Sequence, residues 1–239
     1  MRLPFASLLN AVAIAVAGTL GVRFGHVLPE RVRSAVLSAM GLVTVFVGFE
    51  GARASSNIII PLIALALGVL IGESLAIETR LERVGERLRA RFARGETGRF
   101  VDGFVTATLI ATIGPMAILG SLAEGASGDR EILLIKSALD AFMAFGVAAA
   151  YGIGVAFAAI GVLAVQVPLT LAGSLVGADI DGRVLAEIQA TGGFVVIAIG
   201  LRLLEIKRIR VVNFLPALLL APIFVALADA IAAALPAQP

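Results

Sequence analysis

Apolar residues in this chain gather in runs near twenty residues long, separated by short connections in which the charges collect. A helix needs about twenty such residues to cross a hydrocarbon core of ~30 Å, so each run predicts one transmembrane helix. Eight can be placed: Phe5–Gly25, Val32–Ala52, Asn57–Ile77, Phe100–Ser121, Ile132–Gly152, Gly154–Val176, Val184–Leu204 and Val211–Ala232. Only Gly152 and Gly154 divide the fifth from the sixth. The first run follows Arg2, exceeds the ~7–15 apolar residues of a signal peptide and lacks a convincing small-x-small cleavage site, so it reads as an uncleaved span. A β-barrel would show alternating stretches of about ten residues instead. The expected fold is all-α, one polytopic transmembrane domain over residues 1–239.

The segment Glu78 to Arg94 departs from the pattern. At 100° per residue, Leu81, Val84, Leu88 and Phe92 form a narrow apolar stripe, Glu78, Glu82 and Glu86 one flank, and Arg83, Arg87, Arg91 and Arg94 the other. This suits an amphipathic helix in the cytoplasmic interface beside anionic headgroups, and equally a solvated linker over 78–98.

Basic residues orient the set. The connections after the first, third and seventh runs hold fourteen of the nineteen Lys and Arg residues, and eight spans put those connections on one side, which the positive-inside rule makes cytoplasmic. Both termini then face the periplasm. The connections after the fourth and sixth runs, with Glu124, Asp129 and Glu131 and with Asp179, Asp181 and Glu187, fall outside. An apolar share of 59% against about 45–50% for soluble domains agrees with a membrane protein. The pI near 9.7 reflects this Arg pattern, so no nucleic-acid partner is implied. There is no cysteine, and the single histidine, His26, reads as a solvated loop residue, so thiolate and histidine metal centres and a Cys nucleophile are absent. No cofactor is expected.

Three landmarks recur in order. Gly18–Gly21 resembles Gly173–Gly177, Gly41–Gly48 resembles Gly193–Gly200, and Asn57–Leu62 resembles Asn213–Leu218, at offsets of about 152 to 155 residues. Runs one to three would map onto six to eight with reversed orientation, an inverted repeat of the kind many transporters carry.

Charges inside the apolar runs mark the candidate chemistry. Asp140 and Lys136 are i and i+4, on one helix face and able to pair. Lys136 could instead snorkel to the outer interface, and Asp102, near the start of the fourth run, could simply favour a helix N-terminus. Gly114 and Pro115 should break the fourth span, and Pro216 with Pro222 should bend or break the eighth, freeing carbonyls. Asn10, Asn213 and Thr106 add polar groups at membrane depth, where such groups often only tie helices together. With no nucleophile and base pair and no metal cluster, an enzyme is not expected.

The chain resembles the bacterial membrane family catalogued as domain of unknown function 554, YdfK-type. The resemblance lies in N-A-x-A-I-x-x-x-G-x-x-G at Asn10–Gly21, D-G-F-V-T-A-T-L at Asp102–Leu109, G-P-M-A-I-L-G-S at Gly114–Ser121, K-S-x-x-D at Lys136–Asp140, A-T-G-G at Ala190–Gly193 and I-R-V-x-N-x-L-P-A-L at Ile209–Leu218. It implies a polytopic inner-membrane protein and carries over no functional residue. The residues themselves point to a transporter or channel for a small solute or cation through a polar pathway near Asp140, with Lys136, Asp102, Gly114, Pro115, Asn10, Asn213 and Thr106 as candidates along it. The rival reading is a membrane scaffold or sensor docking through the Arg-rich segment. The lipid bilayer is the one partner the sequence requires, and homo-oligomerisation stays open.

Overall fold

The computed structural model of the chain describes residues 3–93, 99–176 and 181–234, and among these it is all helical. The helices are α1 (Phe5–Gly25), α2 (Glu30–Ala52), α3 (Ile59–Ser74), α4 (Ile77–Phe92), α5 (Arg99–Thr112), α6 (Pro115–Ala126), α7 (Glu131–Tyr151), α8 (Ala158–Val176), α9 (Gly182–Leu203) and α10 (Leu215–Ala234), with short 3-10 turns ahead of α8 and α10. Six segments are long and apolar enough to cross a membrane, and there are eight if the bent pairs α3/α4 and α5/α6 each count as one span.

The helices are built inside out relative to a soluble protein. On α1 the inward face is Ala6, Ser7, Asn10, Ala11, Ile14, Gly18, Gly21 and Gly25, while Leu8, Val12, Val16, Leu20 and Phe24 lie on the outside. α2 repeats this with Gly41, Thr44 and Gly48 inward and Leu42, Val43, Phe46 and Phe49 outward. Large apolar side chains gain nothing by leaving lipid for protein, so small residues that allow close backbone approach take the interfaces. The chain is an integral membrane protein by this criterion as well as by composition.

α5 is the central helix: Gly103 through Leu109 are all buried. Its Phe100, Phe104, Leu109 and Ile113 pack with Ile199 and Leu203 of α9 and with Val211 and Val212. On its other side Ala107 and Ala111 meet Ile14 of α1, Ala144 and Val147 of α7, and Val162 of α8. Glycines set the closest helix approaches. A Cβ at Gly48 of α2 would lie 2.6 Å from the Ile197 nitrogen of α9, and one at Gly68 of α3 would lie 2.6 Å from the Ala217 nitrogen of α10.

The expected breaks occur where the backbone residues demand them. α5 stops at Thr112 and α6 begins at Pro115, with a 60° change of direction, because proline has no N–H to continue the ladder and fits the first helical turn. α7 ends at Gly152, whose φ of 85° suits glycine, and a 3-10 turn at Ile153–Val155 leads into α8. The eighth span does not break: Pro216 falls in the first turn of α10, where its missing N–H costs nothing, and the helix runs on through Pro222. α3 turns by 54° into α4 through Ala76. α4 turns a different face inward from the expected stripe. Leu81 and Leu88 pack on the core with Gly85 against Phe104, but Phe92 is 61% exposed and Glu78, expected on a flank, is buried. Residues 94–98 of the expected linker lie outside the described residues.

Backbone atoms cannot move aside as a side chain can, so Gly48→Ala and Gly68→Ala should each cost roughly 1–3 kcal/mol or more, the usual range for overpacking. Gly182→Ala, where a Cβ meets nothing within 4 Å, should leave the thermal unfolding midpoint of the purified protein unchanged. Equal midpoints for all three variants would show that the helix seams are looser than described.

Candidate functional site

One turn apart on α7, the Lys136 ammonium and the Asp140 carboxylate form an ion pair with side chains 6% and 7% exposed. The lysine therefore does not snorkel. Asp140 Oδ2 also accepts a hydrogen bond of 2.9 Å from Asn10 Nδ2 of α1, which in turn lies 3.5 Å from Gln166 Oε1 of α8. α1 reaches these partners because Gly21 and Gly25 let its lower half lie directly on the backbone of Phe145 and Ala149 in α7.

From Asn10 a file of polar groups continues to the end of the bundle that carries the α6–α7 connection. Asn10 and Ser7 are one turn apart on α1, as Gln166 and Thr170 are on α8. Ser7 Oγ lies 3.2 Å from Thr170 Oγ1 and donates to Glu124 Oε2 of α6 at 3.1 Å. The Glu124 carboxylate, 1% exposed, also accepts from the Ala6 backbone N–H at 2.6 Å, at the positive end of the α1 dipole. Arg130, half exposed, closes the file: its Nε lies 3.7 Å from Glu124 Oε1 and its guanidinium sits 5.0 Å from the Phe5 ring centroid. The hydroxyls of Ser7 and Thr170 bring two protons to three contacts, because Thr170 Oγ1 also donates to the Gln166 carbonyl at 3.0 Å. At least one contact is unmade at any moment, and rotation of either hydroxyl changes which.

Two other buried carboxylates are held differently. Glu187 of α9 accepts from Ser55 Oγ, Ser56 N, Ser56 Oγ and Asn57 N at 2.7 to 3.3 Å, which fastens the α2–α3 connection. Glu78 accepts from Arg202 Nη1 at 2.9 Å and from the Val212 N–H at 3.2 Å. Both are saturated structural joints. The Asp140 file is not: among the described residues, Asn10 Oδ1 and Gln166 Nε2 are buried without a hydrogen-bond partner. A cavity of about 10 Å³ adjoins Asp140, lined by Ile14, Ala107, Ile110, Ala111, Met143, Ala144 and Val147. That is room for about one water.

Of the residues singled out in the sequence, Asp140, Lys136 and Asn10 come together, and the cavity places the last turn of α5, just before the Gly114 and Pro115 break, against Asp140. Asp102 belongs elsewhere. Its side chain is 53% exposed at the Arg-rich end and pairs with Arg202 Nη2 at 3.1 Å. Asn213 Oδ1 accepts from the Glu78 N–H at 2.8 Å and so fastens the start of α4. Thr106 is buried in α5 with an unpartnered hydroxyl and no contact to the pair. Sequence reasoning missed Glu124, Ser7 and Thr170 and passed over Gln166. The spacing of Gln166 with Thr170 could have shown a polar face, whereas Glu124 reads as a loop charge until α1 is seen lying over it. Among the described residues no group of three metal-ligating side chains converges.

Lys136→Met would leave Asp140 buried without its cation, a loss of about 3–5 kcal/mol for a broken buried pair. Lys136→Met with Asp140→Asn keeps the acceptor for Asn10 and should recover most of that loss in a thermal unfolding assay. If the single variant is as stable as the parent, the pair is hydrated rather than buried.

Comparison with known proteins agrees with this architecture. Residues 5–226 match the family described as "Protein of unknown function (DUF554)". The chain is 33% identical over 217 residues to "Uncharacterized protein YqgA" of Escherichia coli (strain K12), covering 89% of this chain and 92% of that one. It is 27% identical over 225 residues to "Uncharacterized membrane protein YdfK" of Bacillus subtilis (strain 168), covering 92% and 95%. No solved structure matches. A match over nearly the whole length, including the residues that build the Asp140 cluster and the α5–α6 break, means that the chain belongs to the DUF554 family.

Proposed function

We propose that the chain is a transporter or channel that moves a small cation through the Asp140 cluster. The observation that carries this reading is the polar file from Glu124 to Asp140, incompletely hydrogen-bonded and placed where apolar packing would be cheaper. Hydroxyls with fewer protons than contacts can pass a proton by rotating. The small cavity beside Asp140 limits the cargo in this conformation to a proton, a bare ion or one water.

Orientation follows from charge. With the Arg-rich connections cytoplasmic, Glu124 and Arg130 lie at the outer face of the inner membrane, both termini are periplasmic, and the file leads inward from outside. The packing of α2 on α9 supports an inverted repeat. Gly41 meets Gly200 and Gly48 meets Gly193, and the offset of 152 residues exchanges these two contacts, as a two-fold axis between the helices would. The break between α5 and α6 at the depth of Asp140 fits the discontinuous helices of transporters.

A second reading rests on a different observation. No broad hydrated cavity adjoins Asp140, and Arg80, Arg83, Arg87 and Arg91 stand exposed on α4, which suits a scaffold or sensor with a basic docking face.

Flux separates the two. In vesicles with a trapped pH dye and an imposed potential, the parent protein should pass protons or an alkali cation. Asp140→Asn and the Lys136→Met with Asp140→Asn pair should both abolish that flux, the pair while unfolding like the parent. Flux that survives in the pair removes Asp140 from the mechanism, and absence of flux in the parent favours the scaffold. Orientation is checked in the Cys-free chain with single cysteines. An impermeant thiol reagent added to intact cells should label Asp129→Cys and not Arg87→Cys, and the reverse result inverts the topology.

A further inference from the structure

At the Arg-rich end, between α1, α2, α5 and α7, lies a second cavity of about 140 Å³, lined by His26, Arg33, Arg99 and Tyr151 against the small residues that end α1 and α7. It shares no lining residue with the Asp140 cavity and has no part in the cation reading. We infer that it binds a phosphate-bearing anion, either a lipid headgroup or a free phosphate.

Three separate chain segments bring nitrogen-bearing side chains there. His26 comes from the α1–α2 turn, Arg33 from the second turn of α2 and Arg99 from the start of α5. Arg33 is anchored: its Nε donates to the Gly25 carbonyl at 2.8 Å, which fixes the plane of the guanidinium, and among the described residues its Nη groups have no protein partner. A fixed planar fork with free N–H groups is the arrangement that matches phosphate oxygens, and pre-positioning lowers the entropy lost on binding. Three carboxylates compete: Glu30, 3.5 Å from Arg99 Nη2, has a side chain 83% exposed, so water screens that pair heavily, and Asp102 and Glu205 both act on Tyr151, Asp102 being already paired with Arg202 Nη2 at 3.1 Å. The carbonyl ends of α1 and α7 oppose an anion with roughly half a charge each. Arg33 offsets the first directly, and at the second Gly152 donates its N–H to the Ala148 carbonyl at 2.9 Å.

Size and place agree with this assignment. A cavity of this volume holds several waters and so admits one tetrahedral anion, but not the body of a lipid, whose acyl chains would stay outside between the helices. Basic pockets between helices at the cytoplasmic end of membrane bundles are suited to acidic headgroups, whose negative surface potential draws them in.

The chain supplies its own reporter, having no tryptophan and a single tyrosine, Tyr151, which lines this cavity. In neutral detergent at fixed ionic strength, tyrosine emission of the intact protein should change saturably with inorganic phosphate or with dihexanoyl phosphatidylglycerol, and not with dihexanoyl phosphatidylcholine. Saturation by inorganic phosphate identifies a free anion as ligand. Saturation by phosphatidylglycerol alone identifies a headgroup. Arg99→Gln should weaken the binding about tenfold or more, the loss of one charge-assisted contact, and Glu30→Gln, which releases Arg99, should tighten it. These two exposed positions carry the test because Arg33→Gln would also uncap α1. A response that fails to saturate, a response to phosphatidylcholine equal to that for the anions, or affinities unchanged in both variants would overturn the assignment.

Discussion

A carboxylate at the depth of Asp140 lies away from bulk water, so the protein must supply a counter-charge and hydrogen-bond donors from its own helices, and much of the bundle follows from that requirement. Lys136 can serve only from the same face of α7, one turn away. Asn10 can serve only if α1 comes close to α7, which fixes small residues along that seam, at Gly21 and Gly25. Gln166 and Thr170 then require α8 on the far side of α1, and Gly125 and Gly173 let α6 close against α8 so that Glu124 reaches the start of α1. Charge sets the neighbours and glycine makes the distances attainable.

The same logic explains why the polar groups divide into two kinds. Glu187 meets four donors and Glu78 two, so that each oxygen of both has at least one, and each fastens a connection or a helix start to a neighbouring helix. The Asp140 file leaves two amide atoms unmatched and two hydroxyls short of protons. A half-satisfied network inside a membrane is more costly than an apolar core, so its presence is better explained by use than by stability.

The helices were legible in the sequence because run length and backbone chemistry are local properties. A run of about twenty apolar residues reads as a span, and Gly114 with Pro115, and Gly152, mark helix ends from the backbone chemistry of the residues themselves. Pro222 does not break its helix, because a proline inside a membrane helix is tolerated when neighbours re-satisfy the freed groups. Side-chain partners were legible only within one helix, which is why Lys136 and Asp140 could be paired and Asn10 with Gln166 could not. Asp102 and Glu78 show the opposite failure. The first was counted among the pathway candidates and the second on a flank of an amphipathic helix, yet Arg202, a residue on another helix, takes both.

The polar file and the glycine seam meet on α1, and their order along it constrains any pathway. Ser7 and Asn10 occupy its first two turns, whereas Gly18, Gly21 and Gly25 occupy its last two and lie against backbone atoms of Ala156, Phe145 and Ala149. Between them Ile14 packs with Val147, both about 1% exposed. A cation that reached Asp140 from the Glu124 end would therefore face the apolar contact of Ile14 with Val147. Passage onward requires α1 to part from α7 below Asp140, and glycine seams, which hold helices by contact area without interlocking side chains, are the interfaces where such a shift disturbs the least packing.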